Sequence, residues 1–247
     1  MKKKQLHKGL YKSKYEKDSC GIGFVANINN LQSRQIVDYG LEILCNLTHR
    51  GAVSADPKAG DGVGILTQIP HLFLKKQLEY CNVELPNFGD YAVGMFFLPK
   101  HEEEKKYCLK IIEKYINKFE LNLLHVRDVP VNSSVLGESI KLNEPSIVQF
   151  FLTPKTRTLH HNEFESKLFL VRRHIELELR SFNFYSLSLS SQTIIYKGMI
   201  MSNLLKDYFV DLQNNMFESS LAIVHQRFST NTFPSWELAQ PFRFLCH

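Results

Sequence analysis

Cys20 is the first residue of this sequence whose type and neighbours suggest a chemical role. It directly precedes an apolar, β-prone segment, and Gly21 and Gly23 flank Ile22 within that segment. A thiolate is a strong nucleophile, and alternate glycines let a ligand or another stretch of backbone approach closely. A free cysteine is also often a small buried side chain of the core, and that structural role stays open at this point.

A second polar segment joins a predicted helix to a predicted strand. It spans residues 49–56 and continues through Gly60, Asp61 and Gly62. Its glycine and aspartate residues predict a glycine-rich turn that ends the helix and begins the strand. A phosphate-binding loop is the alternative, but that motif needs a strand before it and a helix after it, and the order here is reversed. The turn is therefore the favoured interpretation.

A third segment, residues 225–236, leaves an apolar strand and enters a polar loop that holds the only tryptophan, Trp236. Arg227 stands at the predicted strand end, where a guanidinium can bind a carboxylate with two parallel hydrogen bonds. A solvated surface arginine is the alternative, and composition alone does not separate the two.

Hydrophobic periodicity assigns the elements that must position these residues. Apolar, β-prone runs predict strands at 23–28, 63–69, 91–98, 147–152, 184–189, 193–196 and 221–224. Apolar residues at helical spacing predict helices at 35–47, 102–119, 163–179 and 203–210, and Pro70 predicts a further helix start. Pairs of strands followed by helices indicate an α+β fold in which helix layers cover sheets.

Charge and composition exclude several classes of function. The chain has 247 residues and a formal net charge of +5. Residues 1–19 carry seven lysines and two acids, so the excess positive charge lies in this basic arm. Residues 20–247 are neutral overall, which argues against a basic surface that binds nucleic acid. No apolar run approaches the roughly 18–20 residues that cross a bilayer. The five cysteines form no CxxC pair, which disfavours a zinc site or a disulfide framework.

Together, the three polar segments resemble the glutaminase domain of glutamate synthases, a class II glutamine amidotransferase with an N-terminal nucleophile. The resemblance is carried by residues 20–24, by residues 49–56 with 60–65, and by residues 225–244. It extends over essentially everything from Cys20 onward. It implies the four-layer αββα sandwich of the N-terminal-nucleophile hydrolases, and the predicted strands and helices agree with that fold.

The resemblance divides the chain in two. Residues 1–19 are expected to be a leader that is removed on maturation, which makes Cys20 the N-terminal residue and the nucleophile. Residues 20–247 are expected to form the class II amidotransferase domain. In the family, an Asn-Gly pair that supplies the oxyanion hole follows the position of His247. The domain is therefore expected to be incomplete at its C-terminus and inactive as an isolated segment.

The resemblance also implies substrate-binding roles for four residues. Arg227 is expected to bind the α-carboxylate of glutamine. Arg50, Asn231 and Thr232 are expected to line the substrate pocket, and for Arg50 both structural support and direct catalysis stay open. No residue of this segment is expected to bind a cofactor or a metal ion.

The complete enzyme that the resemblance implies uses glutamine, FMN and a 3Fe-4S cluster, with both cofactors held outside this segment. The sequence looks closest to the ferredoxin-dependent type, with an NADPH-dependent type as the alternative. Its richness in Lys, Ile, Asn, Phe and Tyr suits a plastid genome, so we expect the chloroplast stroma, with a bacterial cytoplasm as the alternative. The expected partners are the rest of the synthase chain and ferredoxin, and neither nucleic acid nor a membrane.

Two other functions remain as hypotheses. The first is an amidotransferase of the same superfamily that feeds ammonia to another acceptor. The second is a non-catalytic interaction module that uses the basic arm, residues 1–19, to contact nucleic acid or an acidic protein.

Overall fold

Two antiparallel sheets form the framework of the protein. The computed structural model describes residues 20–51, 58–156, 160–229 and 233–243. Within these residues each sheet has four strands. In spatial order, sheet A contains β1 (Gly21–Ala26), β8 (Leu221–Gln226), β2 (Val63–Gln68) and β7 (Thr193–Gly198). Sheet B contains β4 (Leu121–Asp128), β5 (Ser146–Pro154), β3 (Ala92–Leu98) and β6 (Tyr185–Ser190).

Helices and short 3-10 turns connect the strands. In chain order the helices are α1 (Arg34–Asn46), α2 (His71–Glu79), α3 (Glu102–Lys118), α4 (Glu138–Lys141), α5 (His161–Glu178) and α6 (Leu205–Tyr208). The 3-10 turns cover Thr48–Arg50, Ser133–Val135, Ser202–Leu204 and Val210–Gln213. Helix α1 begins where the Ser33 hydroxyl accepts a hydrogen bond from the Ile36 N–H at 3.4 Å, which satisfies a donor that the first turn leaves unpaired.

Helices α3 and α5 cover one face of sheet B. Their apolar stripes bring Cys108 and Ile112 from α3, and Leu168 and Ile175 from α5, into one cluster with Phe150 of β5. All five side chains are fully buried. Burial raises the pKa of the Cys108 thiol to about 11, so this cysteine is an uncharged core side chain.

A second cluster joins the two sheets and helix α1. It contains Ile65 and Val224 from sheet A, Met95 and Phe151 from sheet B, and Leu44 from α1. Each sheet is therefore packed against the common core and against helices, as the layered arrangement predicts. The expected fold class, an α+β sandwich of the four-layer αββα type, is confirmed.

Two glycines let α1 lie directly on sheet A. A Cβ on Gly23 would lie 2.4 Å from Cγ2 of Ile43, and a Cβ on Gly40 would lie 2.8 Å from Cβ of Ala222. Carbon atoms in contact prefer about 3.5–4.0 Å, so neither position accepts a side chain without movement. At Gly23, the group that approaches closely is a helix side chain.

A buried polar network connects sheet B to strand β7 and the turn at residues 210–213. The Arg127 guanidinium donates two hydrogen bonds to the Asp211 carboxylate, at 2.7 and 2.8 Å. The Tyr196 hydroxyl donates to the same carboxylate at 2.8 Å and accepts from the Gln149 amide at 3.0 Å. Because each member has a partner inside the network, the polar groups are compensated for their loss of water.

Most predicted elements are present within a few residues of their expected bounds. The predicted helix at 203–210 is a 3-10 turn followed by the short helix α6. Strand β4 was not predicted, because Asn122, His125 and Arg127 interrupt its apolar pattern. It is an edge strand whose residues are largely half-buried or exposed, so it needs no continuous apolar face.

Candidate active site

The first and third polar segments meet at one end of sheet A. Strand β1 starts and β8 ends at this end of the sheet, because the two strands are antiparallel and Gly21 pairs with Gln226. Strand β2 starts at the same end, since Val63 also pairs with Gln226. Cys20, which precedes β1, therefore lies beside Arg227, which follows β8.

Cys20 is half-buried against the backbone that follows β8. The Phe228 N–H donates a hydrogen bond to Sγ of Cys20 at 3.4 Å, and Sγ lies 3.8 Å from the Phe228 carbonyl oxygen. Both polar groups of the Phe228 backbone therefore contact Sγ and fix its position. The local geometry thus suits a nucleophilic sulfur.

Arg227 is held in place by the turn that precedes β2. Its side chain is 6% exposed, its backbone N–H donates to the Gly62 carbonyl at 2.8 Å, and Nη1 donates to the Asp61 carbonyl at 3.3 Å. The Asp61 carboxylate accepts from the Ser229 N–H at 2.5 Å. The glycine-rich turn therefore fixes the segment after β8 at both Arg227 and Ser229, a role that its sequence pattern did not indicate.

Arg50 lies beside the start of β1. It ends the 3-10 turn Thr48–Arg50, is exposed, and has its Cβ 3.2 Å from the position that a Cβ on Gly21 would occupy. The next residue, Gly51, lies against the Gln226 side chain, because a Cβ there would be 2.4 Å from Nε2. The structure thus brings Arg50 next to the residue that follows Cys20.

Two other predicted substrate residues, Asn231 and Thr232, lie outside the described residues. The same holds for residues 52–57 of the second polar segment. Cys20, Arg227 and Arg50 are therefore the predicted site residues whose positions the structure gives, and all three lie at the same end of sheet A.

His225 is a buried residue of this region to which sequence analysis gave no role. It is 3% exposed, and Nδ1 has no hydrogen-bond partner among the residues described. Burial, followed by the nearby charges of Arg227 and Lys197, lowers the pKa of the imidazole from 6.5 to about 4. His225 is therefore neutral at pH 7, and its only sequence signal is its place at the start of the third polar segment, directly after the predicted strand.

A cavity of about 610 Å³ lies between the end of sheet B and the segment 234–237. Its lining includes Tyr185, Trp236 and Glu237, but neither Cys20 nor Arg227. The candidate site is therefore identified by the meeting of strand ends at Cys20, and this cavity is a separate feature.

The described residues contain no group of three or more His, Cys, Asp or Glu side chains placed to hold a metal ion. In the same part of the chain, no helix combines the length and the apolar character needed to cross a membrane.

Comparison with known proteins identifies the family of the chain. The family described as "Glutamine amidotransferases class-II" matches residues 20–247, so the match begins at Cys20. The chain is 44% identical over 250 residues to the "Glutamate synthase [NADH]" of Saccharomyces cerevisiae, covering 97% of this chain and 12% of that protein. It is 41% identical to the "Glutamate synthase [NADPH] large chain" of Bacillus subtilis, covering 97% of this chain and 16% of the relative.

A third relative is the "Ferredoxin-dependent glutamate synthase" of Pyropia yezoensis, which is 42% identical over 94% of this chain and 15% of its own length. The chain thus spans about an eighth to a sixth of the length of these relatives. The family match covers more than nine-tenths of the sequence and includes every described residue of the site at the end of sheet A. This chain belongs to the class II glutamine amidotransferases.

Proposed function

We propose that this chain is the glutaminase domain of a glutamate synthase and that Cys20 is its nucleophile. The observation that carries the proposal is the position of Cys20: it directly precedes β1, beside the arginine that follows β8. A nucleophile and a carboxylate-binding cation at neighbouring positions suit an amino-acid substrate with a side-chain amide.

The chemistry requires that Cys20 become the N-terminal residue. A thiol with a pKa near 8.5 is only a few per cent ionised at pH 7, so it needs a base. Removal of residues 1–19 would free the α-amine of Cys20, whose pKa of about 7.7–8.0 lets it accept the thiol proton. Before cleavage the same nitrogen is an amide and cannot act as a base.

Attack by sulfur on the amide carbon of glutamine forms a carbon–sulfur bond and a tetrahedral intermediate. The protonated α-amine returns its proton to the leaving nitrogen, the carbon–nitrogen bond breaks, and ammonia departs. Water then attacks the thioester, which yields glutamate and restores the thiol. The Phe228 N–H stabilises the sulfur while it carries negative charge.

Substrate recognition is assigned to Arg227, with Arg50, Asn231 and Thr232 as further pocket residues. The Asp61 carbonyl accepts a hydrogen bond from Nη1 of Arg227 and the Gly62 carbonyl accepts one from its backbone N–H, so both the side chain and the backbone are positioned before substrate arrives. The exposed Arg50 lies where it can contribute to the pocket wall beside Gly21.

We further propose that the complete enzyme is the ferredoxin-dependent type, with FMN and a 3Fe-4S cluster in the rest of the synthase chain, and that it acts in the plastid stroma. The similarity to the Pyropia yezoensis protein supports this assignment, and the relatives named for NADH and NADPH match equally well. Assays with reduced ferredoxin, NADH and NADPH as donors test it directly. Turnover with a pyridine nucleotide and none with ferredoxin contradicts it.

The decisive experiment compares Cys20→Ala with Cys45→Ala in the complete synthase. Cys45 is an exposed cysteine of α1 and serves as the matched control. Cys20→Ala should abolish glutamate formation from glutamine and 2-oxoglutarate but preserve it when ammonium replaces glutamine, and Cys45→Ala should preserve both. Glutamine-dependent activity that survives in Cys20→Ala would refute the proposal. Ammonia transfer to an acceptor other than 2-oxoglutarate would support the related amidotransferase instead.

A further inference from the structure

Lys197 of β7 is a fully buried lysine outside the site described above. Its side chain is 0% exposed, and Nζ donates hydrogen bonds to the carbonyl oxygens of Ala239 at 2.6 Å and Glu237 at 2.8 Å. The Tyr185 and Phe242 rings lie 4.5 and 4.9 Å from Nζ. Lysine is rarely buried in this way, and its amine here is compensated by the two backbone carbonyls that accept its hydrogen bonds.

Those contacts hold the segment 237–242 against the turn of the candidate site. A Cβ on Gly62 would lie 2.9 Å from Cα of Ala239, and a Cβ on Gly64 would lie 2.6 Å from the Gln240 carbonyl oxygen. Gly62 has a φ of +130°, a backbone conformation that residues other than glycine rarely adopt. Glycine at these two positions is what lets the held segment approach so closely.

The contact continues from Gly62 to the substrate-binding arginine. The Gly62 carbonyl accepts the Arg227 N–H at 2.8 Å, and the adjacent Asp61 carbonyl accepts Nη1 of Arg227. Lys197 is therefore linked to Arg227 through two intermediate residues, Ala239 and Gly62. Removal of the Lys197 amine would leave two backbone carbonyls without their donor and would release the segment from the turn.

We propose that Lys197 is a positioning residue for glutamine binding. It holds residues 237–240 in contact with Gly62, and Gly62 in turn positions Arg227 to bind the α-carboxylate. This inference rests on the proposed function. It predicts a selective effect, because only a substrate that carries an α-carboxylate uses Arg227. A loss of general stability would affect every substrate of the glutaminase equally.

The test uses Lys197→Met in the complete synthase, with Lys76→Met as the matched control on the exposed surface of α2. The substrates are glutamine and the analogue that lacks the α-carboxylate, 4-aminobutanamide. We expect KM for glutamine to rise about tenfold or more in Lys197→Met, with kcat and the analogue KM within a few-fold of the unmodified enzyme. Lys76→Met should change neither.

Gly64→Ala provides an independent variant, because its Cβ would lie 2.6 Å from the Gln240 carbonyl oxygen and would displace the held segment without contacting Arg227. It should produce the same selective rise in KM for glutamine, and it decides the question if Lys197→Met does not fold. An equal loss of kcat/KM for glutamine and for the analogue overturns the inference. An unchanged KM for glutamine overturns it as well. Glutaminase activity that persists in Cys20→Ala overturns the proposed function and this inference with it.

Discussion

Substitution of Gly23 by alanine tests how α1 and β1 position the candidate nucleophile. The added Cβ would lie 2.4 Å from Cγ2 of Ile43 and 3.4 Å from Cγ2 of Val224. The first distance falls about 1 Å short of a normal carbon–carbon contact, so the helix or the strand must move. Gly23 is three residues from Cys20, and movement of β1 would displace the sulfur.

The expected cost follows from two opposing effects. Overpacking of a core costs about 1–3 kcal/mol, and the contact with Ile43 places this case in the upper part of that range. Alanine in a strand recovers about 0.5–1 kcal/mol of backbone entropy relative to glycine. We therefore expect Gly23→Ala to lower the free energy of unfolding by about 1–2 kcal/mol.

A double-mutant cycle with Ile43→Leu separates the clash from other causes. Leucine keeps the volume of isoleucine but lacks the methyl group on Cβ that meets the new side chain. Urea unfolding followed by the fluorescence of Trp236, the only tryptophan, measures the four variants. The double variant should recover at least about 1 kcal/mol of the loss. Additive losses, or no loss in Gly23→Ala, would refute the reasoning.

Three further predictions concern charge. The pKa of His225 is about 4 in the folded protein, against 6.5 for a free imidazole, so the unfolded chain binds a proton first as the pH falls. Stability should therefore drop between pH 6.5 and 4, by up to about 3 kcal/mol, and urea midpoints of His225→Gln should lack this slope. Asp211→Asn should cost about 3–5 kcal/mol in urea unfolding because it leaves the buried Arg127 uncompensated, whereas the control Asp38→Asn, in a partly exposed pair, should cost under about 1 kcal/mol. Arg227→Lys should raise KM for glutamine about tenfold and leave the ammonium-dependent reaction of the complete synthase unchanged.

The parts of the site that sequence analysis predicted are those with local signals. The apolar run after Cys20 and the strand before Arg227 are visible as periodicity, and they place both residues at strand ends. The meeting of those ends depends on β1 and β8 pairing across about 200 residues, a register that periodicity cannot supply. The resemblance to a known family assigned both residues to one substrate site, and the structure supplies the register.

The residues that sequence analysis missed make their contacts with residues that are far away in the sequence. Lysine is normally exposed, and the burial of Lys197 depends on carbonyl groups about 40 residues further along the chain. Asp61 was assigned to a turn, and its contact with Ser229 appears only when β2 and β8 are side by side. Single-sequence reasoning predicts elements better than the polar contacts between them.

The central claim is that Cys20 becomes an N-terminal nucleophile, and one mass measurement tests it directly. The complete protein is treated with an electrophilic glutamine analogue, such as a diazoketone, then digested and analysed by peptide mass spectrometry. We predict one adduct, on a peptide that begins at Cys20 with a free α-amine. An adduct on another residue, or a Cys20 peptide that still carries residues 1–19 in the active enzyme, would contradict the account.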